Sequence, residues 1–145
     1  MRAEEERLTQ VLAIVCDLES DEAIQRYVEV IDALRGSDSE DVLRRMLGCL
    51  RDTDAGEVQY ELVEACEAFP HYVRVFFEVG LAVVKKAPRW FRLMFQSILN
   101  SPAHASQALM LINEMDGESR AEYKRIIEGL SKDTPQYAPL LNQIQ

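Results

Sequence analysis

Residues 70–100 read PHYVRVFFEVGLAVVKKAPRWFRLMFQSILN, and this stretch decides the fold. From Tyr72 to Val84 it is apolar nearly all the way round, and only Arg74 and Glu78 interrupt it. Those two are four residues apart, so on a helix they share one face. A helix that is apolar on most sides is buried on most sides. It is too short and too charged to cross a bilayer, which needs about 20 apolar residues. Pro88 then fits the first turn of a second helix, where a missing N–H loses no partner. Trp90, Phe91, Leu93, Met94, Phe95, Ile98 and Leu99 recur at helical spacing and give that helix an apolar face, with Arg89 and Arg92 opposite. The stretch therefore reads as two antiparallel helices joined by a tight turn at residues 85–88.

Upstream, four more helices fit. The first spans 3–18, with Leu8, Val11, Leu12, Val15 and Leu18 inward and acids in its first turn, as the helix dipole favours. Ser20 caps the second, which turns Ile24, Tyr27, Val28, Ile31 and Leu34 inward and stops at Gly36. Ser39 caps the third, with Val42, Leu43, Met46, Leu47 and Leu50 inward. Asp54 and Glu57 have the spacing of a capping box for a fourth over 55–69. Downstream, Ser101-Pro102 opens a seventh helix that ends at Gly117. Glu118 to about Leu130 forms an eighth, and a short turn over 139–144 closes the chain. Short connections favour antiparallel neighbours. The expected architecture is all-α: about eight antiparallel helices stacked as HEAT-like hairpins, or an irregular helical bundle, in a single domain over 1–145.

Charge narrows the function. The 145 residues carry 25 Asp and Glu against 16 Lys and Arg, a net charge of −9. Such a protein is poorly suited to nucleic acid or an anionic membrane and well suited to a basic partner. Cys16, Cys49 and Cys66 are odd in number, lack CxxC spacing and fall within helical patterns. They read as buried, reduced thiols of a cytosolic protein. The opening MRAEEERL has no apolar signal-peptide segment, which places the expected site of action in the cytoplasm.

The inventory for chemistry is thin. The only histidines are His71 and His104, and the nucleophile-elbow, P-loop, dinucleotide-binding and HExxH patterns are missing. Glu67 and His71 are four apart, but Pro70 stands between them, and Cys66 has no second catalytic partner in sequence. No enzyme, metal site or cofactor is expected. Lys85, Lys86, Arg89 and Arg92 cluster at the turn, where the first two suit a helix C-terminus.

The main signal outside the core is acidic. Between Arg51 and Arg74 there is no Lys or Arg, while Asp52, Asp54, Glu57, Glu61, Glu64 and Glu67 all fall there. On a helix, Glu57, Glu61 and Glu64 form one ridge with Glu67 close beside it. Like charges at this spacing repel, so a helix built only for stability would intersperse lysines. The ridge is either a solvated face or a docking surface for a basic partner. Tyr60 lies on the same helix and is either an interface anchor or half-buried packing. Trp90 reads as packing whose N–H meets a carbonyl, and Asn100 as a residue satisfying backbone at a helix end.

Several short motifs resemble the small all-helical immunity proteins of bacterial polymorphic and contact-dependent toxin systems. They are the acidic turn Asp52-Thr53-Asp54, the helix end Cys66-Glu67-Ala68-Phe69, the helix start Tyr72-Val73, then Pro88-Arg89-Trp90, and Ile98-Leu99-Asn100-Ser101. Together they cover about a third of the chain. Where members carry a basic residue before Ile-Leu-Asn, this chain has Gln96-Ser97. The resemblance implies a non-enzymatic inhibitor that binds a cognate toxin domain 1:1 in the bacterial cytoplasm and blocks its active site. A nuclease toxin is expected, because an active site that holds phosphates is basic. The expected contacts are Asp52, Asp54, Glu57, Tyr60, Glu61, Glu64 and Glu67. The competing expectation is a helical-repeat adaptor for a basic protein or peptide.

Overall fold

The computed structural model describes residues 1–145 and contains only helices and their connections. In order they are α1 (Ala3–Val15), α2 (Asp21–Leu34), α3 (Glu40–Leu47), α4 (Gly56–Glu67), α5 (Tyr72–Lys86), α6 (Pro88–Asn100), α7 (Pro102–Asn113), α8 (Gly117–Asp133) and a 3₁₀ segment (Pro135–Gln143). The all-α expectation is met. The chain divides into two compact units, Met1–Met94 and Phe95–Gln145, with the division inside α6.

In the first unit the local signals act as expected. Ser20 Oγ accepts the Ala23 N–H at 3.0 Å and Ser39 Oγ accepts that of Val42 at 3.3 Å. Gly36, at φ +86°, takes the left-handed conformation that ends α2. α1 packs on α2 and α3, α2 on α4, and α3 on α4 and α5. That is the neighbour order of successive helical hairpins laid one on the next. Leu12, Ile31, Val42, Leu43, Met46, Leu62, Val75 and Phe76 are wholly enclosed. Phe76 of α5 stacks on Phe91 of α6 with ring centroids 5.2 Å apart.

Three local readings change in this unit. α1 stops at Val15, and Leu18 follows at φ +54°. The buried stripe of α1 is Glu5, Thr9 and Leu12, while Leu8, Val11 and Val15 are half-buried. Polar partners distant in sequence turn the helix: the Glu5 carboxylate accepts a hydrogen bond from the Ser37 hydroxyl, and Thr9 Oγ1 accepts one from Arg45 at 3.2 Å. No capping box forms at Asp54 and Glu57, because α4 starts at Gly56 with Ala55 as its uncapped N-cap. Leu93, placed on the apolar face of α6 by spacing, is 57% exposed.

The second unit comprises the end of α6, α7, α8 and the 3₁₀ segment, which packs on α8. Phe95 and Tyr123 meet at 6.1 Å. Gly117 is the first residue of α8 and does not terminate α7. Asp116 caps α8 by accepting the Ser119 N–H at 2.9 Å. Asn100 is no terminal backbone cap either: its Oδ1 accepts the Tyr137 hydroxyl at 2.8 Å. Asn113 holds the chain end, donating to the Gln143 carbonyl and accepting the Gln145 N–H, both at 2.9 Å.

Candidate protein-binding site

The seven acidic-face residues divide by what the structure does with them. α4 turns Gln59, Leu62, Val63, Ala65 and Cys66 into the first unit. At 3.6 residues per turn this leaves Glu57, Tyr60, Glu64 and Glu67 along the opposite, exposed side. No ion pair reaches Glu57, Glu64 or Glu67. Glu61 lies at one flank of the ridge, where its Oε2 accepts from Arg35 of α2 at 2.8 Å. Glu67, at the end of α4, has its carboxyl pushed above the usual carboxylate range, first by partial desolvation and then by the like charge of Glu64. The Tyr72 hydroxyl close by is buried without a hydrogen-bond partner, and burial together with the charge of Glu67 opposes its ionisation.

Asp52 is committed elsewhere. Its carboxylate accepts the backbone N–H of Arg89 at 2.9 Å and of Trp90 at 3.4 Å, and lies 3.7 Å from Arg89 Nε. It therefore caps the first turn of α6 from 37 residues upstream, satisfying donors that a helix start leaves orphaned. Asp54 is exposed in the same turn. Gln59 completes the join. Its Oε1 accepts the Trp90 indole N–H at 3.0 Å, and its amide donates to the Arg51 carbonyl. The indole N–H thus meets a carbonyl, as expected, but the carbonyl belongs to a buried side chain.

Trp90 is half-buried, and the Tyr60 ring lies against it with centroids 6.2 Å apart and planes tilted 47°. Tyr60 is 51% exposed, so one side of its ring packs on Trp90 while the rest reaches solvent. With Leu93 one turn further along α6, the surface pairs an apolar strip with the acidic ridge. The spacing of Leu93 concealed this, since only the packing of α6 tells which edge of its apolar arc reaches solvent.

On α3 and α5, by contrast, the acids are paired with arginines. Arg44 of α3 pairs with Asp41 at 2.8 Å, Glu40 at 3.2 Å and Glu78 of α5, and Arg74 of α5 pairs with Glu40 at 2.6 Å. These arginines, acting chiefly through hydrogen bonds, hold the Glu40 and Glu78 carboxyls below their ordinary range. Cys16, Cys49 and Cys66 are unbridged and buried, and burial pushes the Cys66 thiol up, away from the reactive thiolate. His71 takes a left-handed conformation before α5 at φ +62°, and its side chain is exposed, as is that of His104. No helix is long and apolar enough to cross a membrane.

A family model described as Immunity protein 30 matches residues 14–108, more than half of the chain. The matched span contains every acidic-face residue together with Trp90 and Leu93. No curated protein and no solved structure matches the chain.

Proposed function

This chain belongs to the Immunity protein 30 family and serves immunity against a toxin, and from that premise we propose that the toxin is a nuclease whose basic active site it covers. The complex is 1:1 and forms in the cytoplasm of the bacterium that makes the toxin, in a polymorphic or contact-dependent system. The contacts are drawn from Asp52, Asp54, Glu57, Tyr60, Glu61, Glu64 and Glu67. Glu57, Tyr60, Glu64 and Glu67 lead, because Asp52 and Glu61 already have partners within the fold.

The observation that carries this reading is the exposed ridge on α4 without a cation. Three glutamates share one helix side, and none is paired, in a unit where arginines neutralise the acids of α3 and α5. A basic partner gains from such a field mainly in association rate and in partner selection. Nuclease sites are basic because they hold phosphates, so an acidic helix competes for the same groups.

The test is to pair the protein with the toxin domain encoded directly upstream of its gene. The expected result is a 1:1 complex with loss of nuclease activity. Replacing Glu57→Lys and Glu64→Lys together is expected to slow association about tenfold or more at low salt. The thermal midpoint should stay within a few degrees. An unchanged association rate would show that the ridge is not the contact face, and a toxin without nuclease activity would overturn the proposed target.

A further inference from the structure

This inference rests on the basic-partner reading above and specifies what that partner places on the surface. We infer that Tyr60, Trp90 and Leu93 form the anchor of the interface and receive an arginine side chain of the partner.

Tyr60 and Leu93 are exposed large apolar side chains, at 51% and 57%, on adjacent helices. The half-buried Trp90, one turn before Leu93 on α6, has its ring 6.2 Å from that of Tyr60. Trp90 is held at three points: Asp52 fixes its backbone N–H, Gln59 its indole N–H, and α6 its backbone. A rigid ring loses little freedom on binding, which is what an anchor needs. Glu57 lies one turn before Tyr60 and Glu64 one turn after it, so carboxylates flank the aromatic surface on α4. Leu93 lies one turn beyond Trp90 on α6. Arg89 of the same helix is paired with Asp52, its Nε 3.7 Å from the carboxylate.

This arrangement selects arginine over lysine. A guanidinium is planar and weakly hydrated; it stacks on an aromatic ring and still offers its edge N–H groups to carboxylates. An ammonium is compact and strongly hydrated, so the acidic ridge would attract it while the aromatic strip would add little. Apolar surface, aromatic faces and flanking acids all lie within two helices of one compact unit.

The test uses the full chain, with hexa-arginine and hexa-lysine peptides of equal charge as probes. Trp90 is the sole tryptophan, so its emission reports the anchor directly. Both peptides are expected to bind at low salt. The arginine peptide should bind about three- to fivefold tighter and shift the Trp90 emission. The Tyr60→Ala/Leu93→Ala variant should lose that preference and keep its affinity for the lysine peptide, with circular dichroism confirming the fold. Glu57→Gln/Glu64→Gln should weaken both peptides alike. Equal affinity for the two peptides, or an arginine preference that survives Tyr60→Ala/Leu93→Ala, overturns the anchor and leaves the basic-partner reading standing. Binding of neither peptide overturns that reading and the anchor with it.

Discussion

The α3–α5 seam and the α4 ridge are built from the same residue type and treated in opposite ways. At the seam, Glu40, Asp41 and Glu78 share Arg44 and Arg74. On the ridge, Glu57, Glu64 and Glu67 follow one another along a helix side with no arginine between them. At the seam, arginines pull carboxyls below their usual range; at the ridge, desolvation and a like charge push Glu67 above it. The seam spends charge on holding two helices together. The ridge holds uncompensated charge that the fold does not use, and this is what makes it the candidate for a partner.

The sharpest way to break the comparison is to exchange the effects. Glu57→Lys/Glu64→Lys should cost about a tenfold or larger factor in toxin association and little stability. Arg44→Ala should do the reverse. It removes three pairings at once and leaves Asp41 and Glu78 without their cation, so unfolding stability should fall by about 1–2 kcal/mol in chemical denaturation. Toxin association should be unchanged. If Arg44→Ala weakens toxin binding as strongly as the ridge reversal does, the two regions are not functionally separate.

Acid should also separate them, by sign. Glu40 and Glu78 titrate below their ordinary value in the folded protein. Their stabilising contribution is present above the ordinary glutamate pKa and is lost as pH falls through the lowered folded values. Glu5 behaves in the same way and more strongly. Held by the Ser37 hydroxyl and the Arg2 backbone N–H, it is lowered from 4.5 to about 2. Glu67 is raised, so its unfavourable contribution is present above its folded pKa and disappears below the unfolded one. Glu5→Gln should therefore flatten the loss of stability between about pH 4.5 and pH 2. Glu67→Gln should raise stability at neutral pH and have no effect in acid. Denaturant midpoints across pH 2–8 measure both.

What could be read from the sequence follows the range of each interaction. Ser20, Ser39 and Gly36 act within four residues, and each does what its type and position predict. The buried run around Phe76 follows from apolar content alone. Apart from Gly117, which the neighbouring Asp116 makes the first residue of α8, the failures have distant causes. α1 is turned by Ser37 and Arg45, which sequence spacing places nowhere near it. The residues 52–54 look like the start of α4, yet Asp52 caps α6, a helix whose partner is fixed only after folding. Tyr60 was visible as an aromatic among acids. Its neighbour Trp90 and the exposure of Leu93 were not, because helical spacing finds an apolar arc and cannot say which of its edges remains uncovered.

The smallest predicted effect is the most diagnostic of purpose. Glu64 stands three residues from both Glu61 and Glu67, and like charges at that spacing destabilise a helix by a few tenths of a kcal/mol per pair. Glu64→Gln removes both repulsions while keeping the side chain's length and helix propensity. It should raise unfolding stability by about 0.3–0.8 kcal/mol at low salt, and the gain should shrink as salt screens the charges. The same substitution should slow association with the toxin. A change that strengthens the fold and weakens the complex identifies a residue kept for binding at the expense of stability. A neutral or destabilising Glu64→Gln would mean that the ridge carries no strain, and that its glutamates are merely a solvated face.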